Sequence, residues 1–521
     1  MAITDTNNTS ALESLLRRMR SNEDFPALST TFSEINNAVS SDLSSTLSLT
    51  KIILQDFSLT NKLLKIVNTV SYGQFGGKIS TISKAVVILG FDVVRDIATT
   101  LILIDFLQNK SQATQLTDQV IFSFFSGLTA RQLTYNLHKQ NHEEAMICGI
   151  FHHLGQLLTT FYFFDESQKI NQLISDGIPP KLASIKVLGI SYDDLGNGVA
   201  KSWNFPSRLL HGMQALPNIK VGNSTNELDQ LNVTVNLASE LTAIVSSISI
   251  EDKNVAIGQL VKKYRNAIQI DEKLLHETLE QSLQEMAIRA KILNIAIKKS
   301  LFLKRISEYT NKALKDQNQT AHDEANANKE AKQTKEDFEH SAELSESNEK
   351  IDSESILQAG IQEVMNTLVS DYKLNDVLQM ILETMYRGMG CNRVLMLVRD
   401  AKTNLMQARS GYGEDTEKIL LAFKFPLHST PDVFYLAADT GADIVIEDTD
   451  SESIAAKIPL WYKKISSAKS FLLLPVMINK KAVGCFYVDM QTTHAFDEKS
   501  KNLSLLRTLR NQAVLAIKQS Q

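Results

Sequence analysis

Apolar residues over the first three hundred positions recur at three- and four-residue steps. In 59-LTNKLLKIVNTV-70, Leu59, Leu63, Leu64, Ile66, Val67 and Val70 can share one broad face, the spacing of an amphipathic helix. The same period predicts an almost wholly helical region to residue 305. It is punctuated by turn chemistry at Pro26, SYGQFGGK (71–78), DGIPP (176–180), GNG (196–198) and Pro206. Ser58 reads as a helix start. SYDDLG (191–196) places acids in a first turn, where the helix dipole favours them. The stretch 272–306 keeps helical periodicity longest and reads as a signalling helix or short coiled coil.

The pattern then changes twice. Residues 306–352 are rich in Glu, Lys, Asn and Ala and nearly free of large apolar side chains, so they cannot bury a core and read as a charged linker, helical in part. From 353 to 521 helices and strands mix. Helices are expected near 353–370 and 374–389 and a strand at 391–400. SFLLLPVMI (470–478) and AVGCFYVDM (482–490) read as a hairpin across a short polar turn, and a closing helix is expected at 498–518. The expected fold is multidomain. It has an N-terminal helix or tail (1–19), an all-α domain with a helical extension (20–305), the linker (306–352) and an α+β domain with an antiparallel sheet (353–521).

Composition narrows the classes. A net charge of −5 gives no electrostatic reason to expect nucleic-acid binding. The three cysteines, Cys148, Cys391 and Cys485, are scattered among apolar residues and make neither a disulfide framework nor a zinc cluster. The N-terminus lacks a basic region followed by an apolar run, and no stretch of about 18 apolar residues occurs, so a cytoplasmic location away from membranes is expected.

The candidate chemistry centres on 151-FHHLGQ-156, where His152 and His153 precede a glycine on an apolar helix. They read either as metal ligands or as a packed, hydrogen-bonded pair. A rival metal set would add His138 and His142, four residues apart. Asn68 and Tyr72 could line one helix face, or Asn68 could cap a turn. Gly73, Gly76 and Gly77 are not followed by Gly-Lys-Ser/Thr in phosphate-loop spacing and read as a turn. Trp203 and Pro206 read as core and helix start.

The run 54–97 resembles the signature of HDOD domains through Asp56, Leu59, Leu63, Asn68, Tyr72, Ile79, Ile82, Ala85, Leu89 and Gly90, and SWNFP (202–206) matches a later motif at Trp203 and Pro206. The resemblance covers about 20–215, and Phe57 departs from it where the family has proline. It implies a helical fold related to the HD metal-dependent phosphohydrolases. Those enzymes combine an early histidine, a His-Asp pair and a later aspartate, because the metal needs that ligand set to supply hydroxide. Here His152 matches the histidine, His153 replaces the carboxylate, Phe125 falls where the first histidine would sit, and Asp193 or Asp194 is the late carboxylate. The resemblance therefore implies a degenerate, catalytically silent site without metal.

Residues 355–519 resemble a GAF domain through 374–400, TGADIVIEDTD (440–450), the 470–490 hairpin and the closing helix. GAF domains take small ligands between the sheet and its covering loops. Met396, Phe423, Tyr462, Ser470 and Phe471 are the candidate lining, with Phe425 beside them, and each is as easily core. Asn479, Lys480, Phe496, Asp497 and Glu498 only weakly echo a cyclic-nucleotide signature. Together these resemblances imply a bacterial-type regulatory protein in which a GAF sensor or dimerisation module is coupled to an HDOD protein-interaction domain. Expected partners are signalling proteins such as a kinase or a motility or second-messenger regulator, with a homodimer formed through the GAF or linker helices. No cofactor is expected beyond an unidentified small GAF ligand. The competing classes are a phosphohydrolase or cyclic-di-nucleotide phosphodiesterase with altered ligands, and a structural adaptor with an empty GAF pocket.

Overall fold

In the computed structural model the described residues are 2–22, 24–37, 43–69, 79–109, 114–137, 141–216, 226–247, 252–293, 295, 300, 302–310, 352–427, 432–496 and 500–520. Tyr72, His138, the three glycines at 73, 76 and 77, Asp497, Glu498 and all but the ends of the expected linker lie outside them. Among the described residues no helix is long and apolar enough to cross a membrane.

The chain forms two compact units, 1–39 with 92–347, and 40–91 with 348–521. The expected block 20–305 is therefore divided, because 40–91 packs with the C-terminal residues.

The first unit is helical. Its core stacks Trp203 flat on Phe32 with ring centres 4.4 Å apart, and Phe205 meets Phe151 edge-on at 4.8 Å. Trp203 is fully buried. Pro206 stands at the N-cap of helix Ser207–Gly212, as expected. Pro26 is no break. It sits in the first turn of helix Asp24–Asn37, where its missing N–H has no intrahelical partner to lose. Nor does GNG end a helix, since Gly196 and Gly198 lie inside Tyr192–Ser202. Gly196 is there because a second helix, Leu154–Tyr162, crosses at Gly155. A Cβ on Gly155 would stand 1.9 Å from the Tyr192 carbonyl oxygen.

Helix Glu272–Ile292 is not freestanding. It buries Leu275, Leu279, Leu283, Met286 and Ala290. Its Glu285 accepts from Arg289 Nε at 2.8 Å and from Arg131 Nη1 at 3.1 Å, while Arg131 Nε donates to Glu143 at 2.6 Å. All four groups are buried. This network ties Glu272–Ile292 to helices Thr114–Asn136 and His142–Phe151, and breaking such a buried set leaves an uncompensated charge.

The second unit holds a six-stranded antiparallel sheet in the order β3-β2-β1-β6-β5-β4. The strands are β1 (Arg393–Asp400), β2 (Leu405–Gly413), β3 (Lys424–Pro426), β4 (Ile444–Ile446), β5 (Ser470–Ile478) and β6 (Lys481–Met490). The expected hairpin is β5–β6, joined by Asn479 and Lys480 with φ of 49° and 61°. Two successive left-handed residues give the tight turn whose twist suits a hairpin. Helices Ser353–Leu368, Leu374–Met389 and Lys501–Gln519 belong to this unit. So do helices Leu43–Gln55, Phe57–Val67 and Ile82–Leu89. Helix Phe57–Val67 buries Leu59, Leu63, Leu64, Ile66 and Val67. Its cap is Asp56, which accepts from Leu59 N at 3.0 Å, and not Ser58, which lies in the first turn.

Candidate functional site

The histidine pair occupies a break between helices, not the middle of one. Helix His142–Phe151 ends at His152, and Leu154–Tyr162 begins after His153. His152 Nδ1 lies 2.8 Å from the Met213 carbonyl oxygen, an acceptor only, so Nδ1 carries the proton and donates. His153 Nε2 lies 3.2 Å from Ser239 Oγ and 3.4 Å from Ser126 Oγ. Its ring meets Phe122 edge-on at 4.9 Å and His152 at 5.1 Å.

Burial lowers both imidazole pKa values. For His152 the Met213 carbonyl, Asp193 and Glu240 oppose that shift, and for His153 the neighbouring His152 adds to it. The pair is thus neutral near pH 7. Burial raises the Asp193 carboxyl, and its electrostatic interaction with His152 pulls it down. Asp194 turns away. Its Oδ2 accepts from Ser191 Oγ at 2.7 Å, and its N–H donates to the same hydroxyl at 3.1 Å, which caps helix Tyr192–Ser202. Phe125 is buried in the core, edge-on to Phe302 at 5.9 Å. From the same helix it is Ser126 that faces His153 Nε2 and Phe122 that packs on its ring.

The structure therefore brings His152 and His153 together, with Asp193 linked to His152 only electrostatically, and leaves Phe125 and Asp194 to packing and capping. Ser126, Ser239 and the Met213 carbonyl were not visible as site members, since hydroxyls and carbonyls carry no spacing signal of their own. These residues do not fit a two-metal centre. Among the described residues no group of three or more His, Cys, Asp or Glu side chains is placed to hold a metal ion. His142 stands apart from the pair, 3.6 Å from Glu143. The three thiols are buried, and burial raises each of them, Cys485 to about 12, so none is poised as a nucleophile.

The HDOD signature residues are structural where they are described. Asn68 ends helix Phe57–Val67 and grips the backbone of Ile79 in both directions. Its Nδ2 donates to the Ile79 carbonyl at 2.6 Å, and the Ile79 N–H donates to its Oδ1 at 2.7 Å. Gly90 ends helix Ile82–Leu89 at φ 90°, a conformation side chains resist.

On one face of the sheet Phe423, Phe425, Phe434, Trp461, Tyr462, Phe471 and Tyr487 pack ring against ring. Phe423 meets Tyr487 at 4.9 Å, and Tyr462 meets Phe471 at 5.0 Å. A polar chain runs beneath them. Tyr462 and Tyr487 hydroxyls are 2.8 Å apart, Tyr487 donates to Asp489 at 2.7 Å, and Arg393 Nε donates to Asp489 at 2.9 Å. Two expected lining residues do not belong. Met396 alternates with Leu395 and Leu397, which join the cluster, so the pleat turns it to the other face. Ser470 precedes Phe471 on β5 and donates to the Thr492 carbonyl at 2.7 Å. Tyr487, Asp489 and Arg393 were missed because a charge inside a strand reads as surface.

A family model described as HDOD domain matches residues 25–218, and one described as GAF domain matches residues 373–517. The chain is similar to an uncharacterized protein of Treponema pallidum (strain Nichols), at 23% identity over 199 residues. That match covers 38% of this chain and 38% of that protein, so the chain spans well under half of the curated relative's length. Among solved structures it is similar to an HDOD domain protein of unknown function from Geobacter sulfurreducens. Identity there is 18% and the TM-score 0.42, over 55% of this chain and 97% of that one. It is also similar to the GAF domain of an Acinetobacter phosphoenolpyruvate-protein phosphotransferase, at 20% identity and a TM-score of 0.27, over 33% of this chain and 95% of that one. The chain is thus built from an HDOD domain at residues 25–218 and a GAF domain at residues 373–517.

Proposed function

We propose that the chain is a non-catalytic signal-transduction protein in which a GAF module acts on an HDOD protein-interaction domain. One observation carries this reading. The histidine pair is neutral and engaged with the Met213 carbonyl and the Ser126 and Ser239 hydroxyls, while the position expected to hold a metal-bridging carboxylate holds His153. Metal-assisted hydrolysis needs ligands in number and geometry, and these groups supply hydrogen bonds instead. Partners of this class are signalling proteins such as a kinase or a second-messenger regulator.

The test is elemental analysis of the purified chain, with hydrolysis assays on cyclic dinucleotides and a generic phosphodiester, in wild type and in His152→Ala/His153→Ala. The expected result is no stoichiometric metal and equal background turnover in both. Stoichiometric metal with turnover lost in the variant would make the chain an enzyme.

A second reading, an adaptor whose GAF domain takes no ligand, is favoured by the rings that fill the face where a ligand would sit. Thermal stability in the presence of cyclic nucleotides and tetrapyrroles separates the two. A ligand at a hundred times its Kd adds about 2.7 kcal/mol, and an adaptor gains nothing.

A further inference from the structure

Two acids on the helices that begin the C-terminal half are buried where apolar residues are expected. Glu363 follows Ile356, Leu357 and Gly360 along the buried stripe of Ser353–Leu368, and Glu383 sits among Met380, Ile381, Leu382 and Thr384 on Leu374–Met389. Glu363 is 5% exposed and Glu383 is 0% exposed. An ionised carboxylate without partners is costly in such a place. Their partners come from a segment about 300 residues earlier in the same compact unit.

Glu383 accepts from the Ile82 N–H, from the Ser83 N–H at 2.8 Å and from Ser83 Oγ at 2.7 Å. Glu363 accepts from the Ser80 N–H at 3.2 Å and from the Ser80 hydroxyl. Arg387 donates back to the Ser80 carbonyl, and Lys84 Nζ donates to Thr367 Oγ1 at 3.0 Å. The Ile82 and Ser83 amides are among the first of helix Ile82–Leu89, which have no acceptor within the helix, and the helix dipole adds to their pull on a carboxylate. Asn68 holds the segment from its other side at Ile79.

We infer that Glu363 and Glu383 form the coupling socket between the GAF domain and the HDOD sequence: they hold residues 79–84, and displacement of the helices that carry them releases helix Ile82–Leu89. The occupant is fixed by chemistry. Two carboxylates need a cluster of N–H and O–H donors, and Ser80, Ile82 and Ser83 present that cluster within four successive residues at the start of the helix. The Arg387 guanidinium needs a carbonyl, and Ser80 supplies it. Glu383 lies within the GAF match, and residues 79–84 lie within the HDOD match. The inference goes beyond the proposed function and holds whether or not the chain hydrolyses anything.

Hydrogen–deuterium exchange on the full-length protein at one fixed pH tests it, comparing wild type with Glu363→Ala/Glu383→Ala and with Ser80→Ala/Ser83→Ala. The wild type is expected to protect the amides of 79–90. The glutamate variant is expected to exchange there at least tenfold faster, with β5–β6 unchanged. Should that variant also loosen β5–β6, the serine variant decides, because it leaves the GAF sequence intact. It is expected to speed exchange at 79–90 alone. Unprotected amides at 79–90 in wild type, or serine-variant exchange equal to wild type, would overturn the inference.

Discussion

At Gly155 the absence of a side chain sets how closely helix Leu154–Tyr162 approaches Tyr192–Ser202. A methyl there meets the Tyr192 carbonyl at 1.9 Å, and backbone cannot step aside as a flexible side chain can. Gly155→Ala is expected to cost about 1–3 kcal/mol, the usual penalty of overpacking, read as a lower denaturant midpoint with an unchanged slope. The glycine of FHHLGQ thus serves packing, whatever the histidines do. Glu363 makes a different kind of prediction. Burial first, and Glu383 in addition, raise its carboxyl from 4.5 to about 7, against hydrogen bonds from Ser80 and Thr81 that lower it. Glu383, Arg387 and Lys84 are the other charged groups at this contact. A carboxyl raised in the folded state contributes stability that is fully present below its ordinary value and is lost as pH rises through the folded one. The unit should therefore lose up to about 3 kcal/mol between pH 5 and pH 8. Glu363→Gln keeps an acceptor without the titration. Urea unfolding followed by tryptophan fluorescence in a Trp203→Phe background, where Trp461 is the remaining tryptophan, should show that slope with Glu363 present and a flatter one with Glu363→Gln.

Helix Glu272–Ile292 shows what periodicity conveys and what it hides. Its start and its buried positions follow from the three- and four-residue spacing, but the helix ends at Ile292 and not near 306 as the spacing suggests. That it is locked inward does not follow, because Arg131, Glu143 and Glu285 are charged residues far apart in the chain and pair only once three helices meet. Glu285→Ala should cost about 3–5 kcal/mol, since it leaves Arg131 and Arg289 short of a buried partner, and calorimetry can measure it. The β5–β6 hairpin was legible because Asn479 and Lys480 suit a tight turn and the flanking runs are apolar. Pairing of β1 with β6 was not, since no local signal specifies a neighbour some ninety residues away. Glycines misled for a related reason. The pair around Asn197 reads as a turn, yet Gly196 serves a close helix crossing, and only the partner helix reveals the difference. At the candidate site the His152–His153 pair was readable from its motif. Ser126, Ser239 and the Met213 carbonyl were not, because nearly any residue can supply such groups.

Across the whole chain the domain order was legible from composition and motif, whereas the grouping of segments was not. The HDOD match runs from 25 to 218, but residues 40–91 within it share a compact unit with 348–521. The sequence signal for this was present in Glu363 and Glu383, acids on an apolar stripe. A fragment ending at residue 310 removes the partners of Ser80, Ile82 and Ser83. Exchange at 43–69 and 79–90 in that fragment is expected to exceed that of the full chain by tenfold or more, whereas a domain boundary at residue 305 would leave it unchanged. The cysteines have a practical consequence of another sort. Cys148, Cys391 and Cys485 are all buried with raised thiol pKa values, so little thiolate is available to an alkylating reagent. The native chain is in effect a blank for maleimide chemistry. A single cysteine placed at Val369, which is 91% exposed, would take a spin label or dye at one defined position with no native thiol removed first.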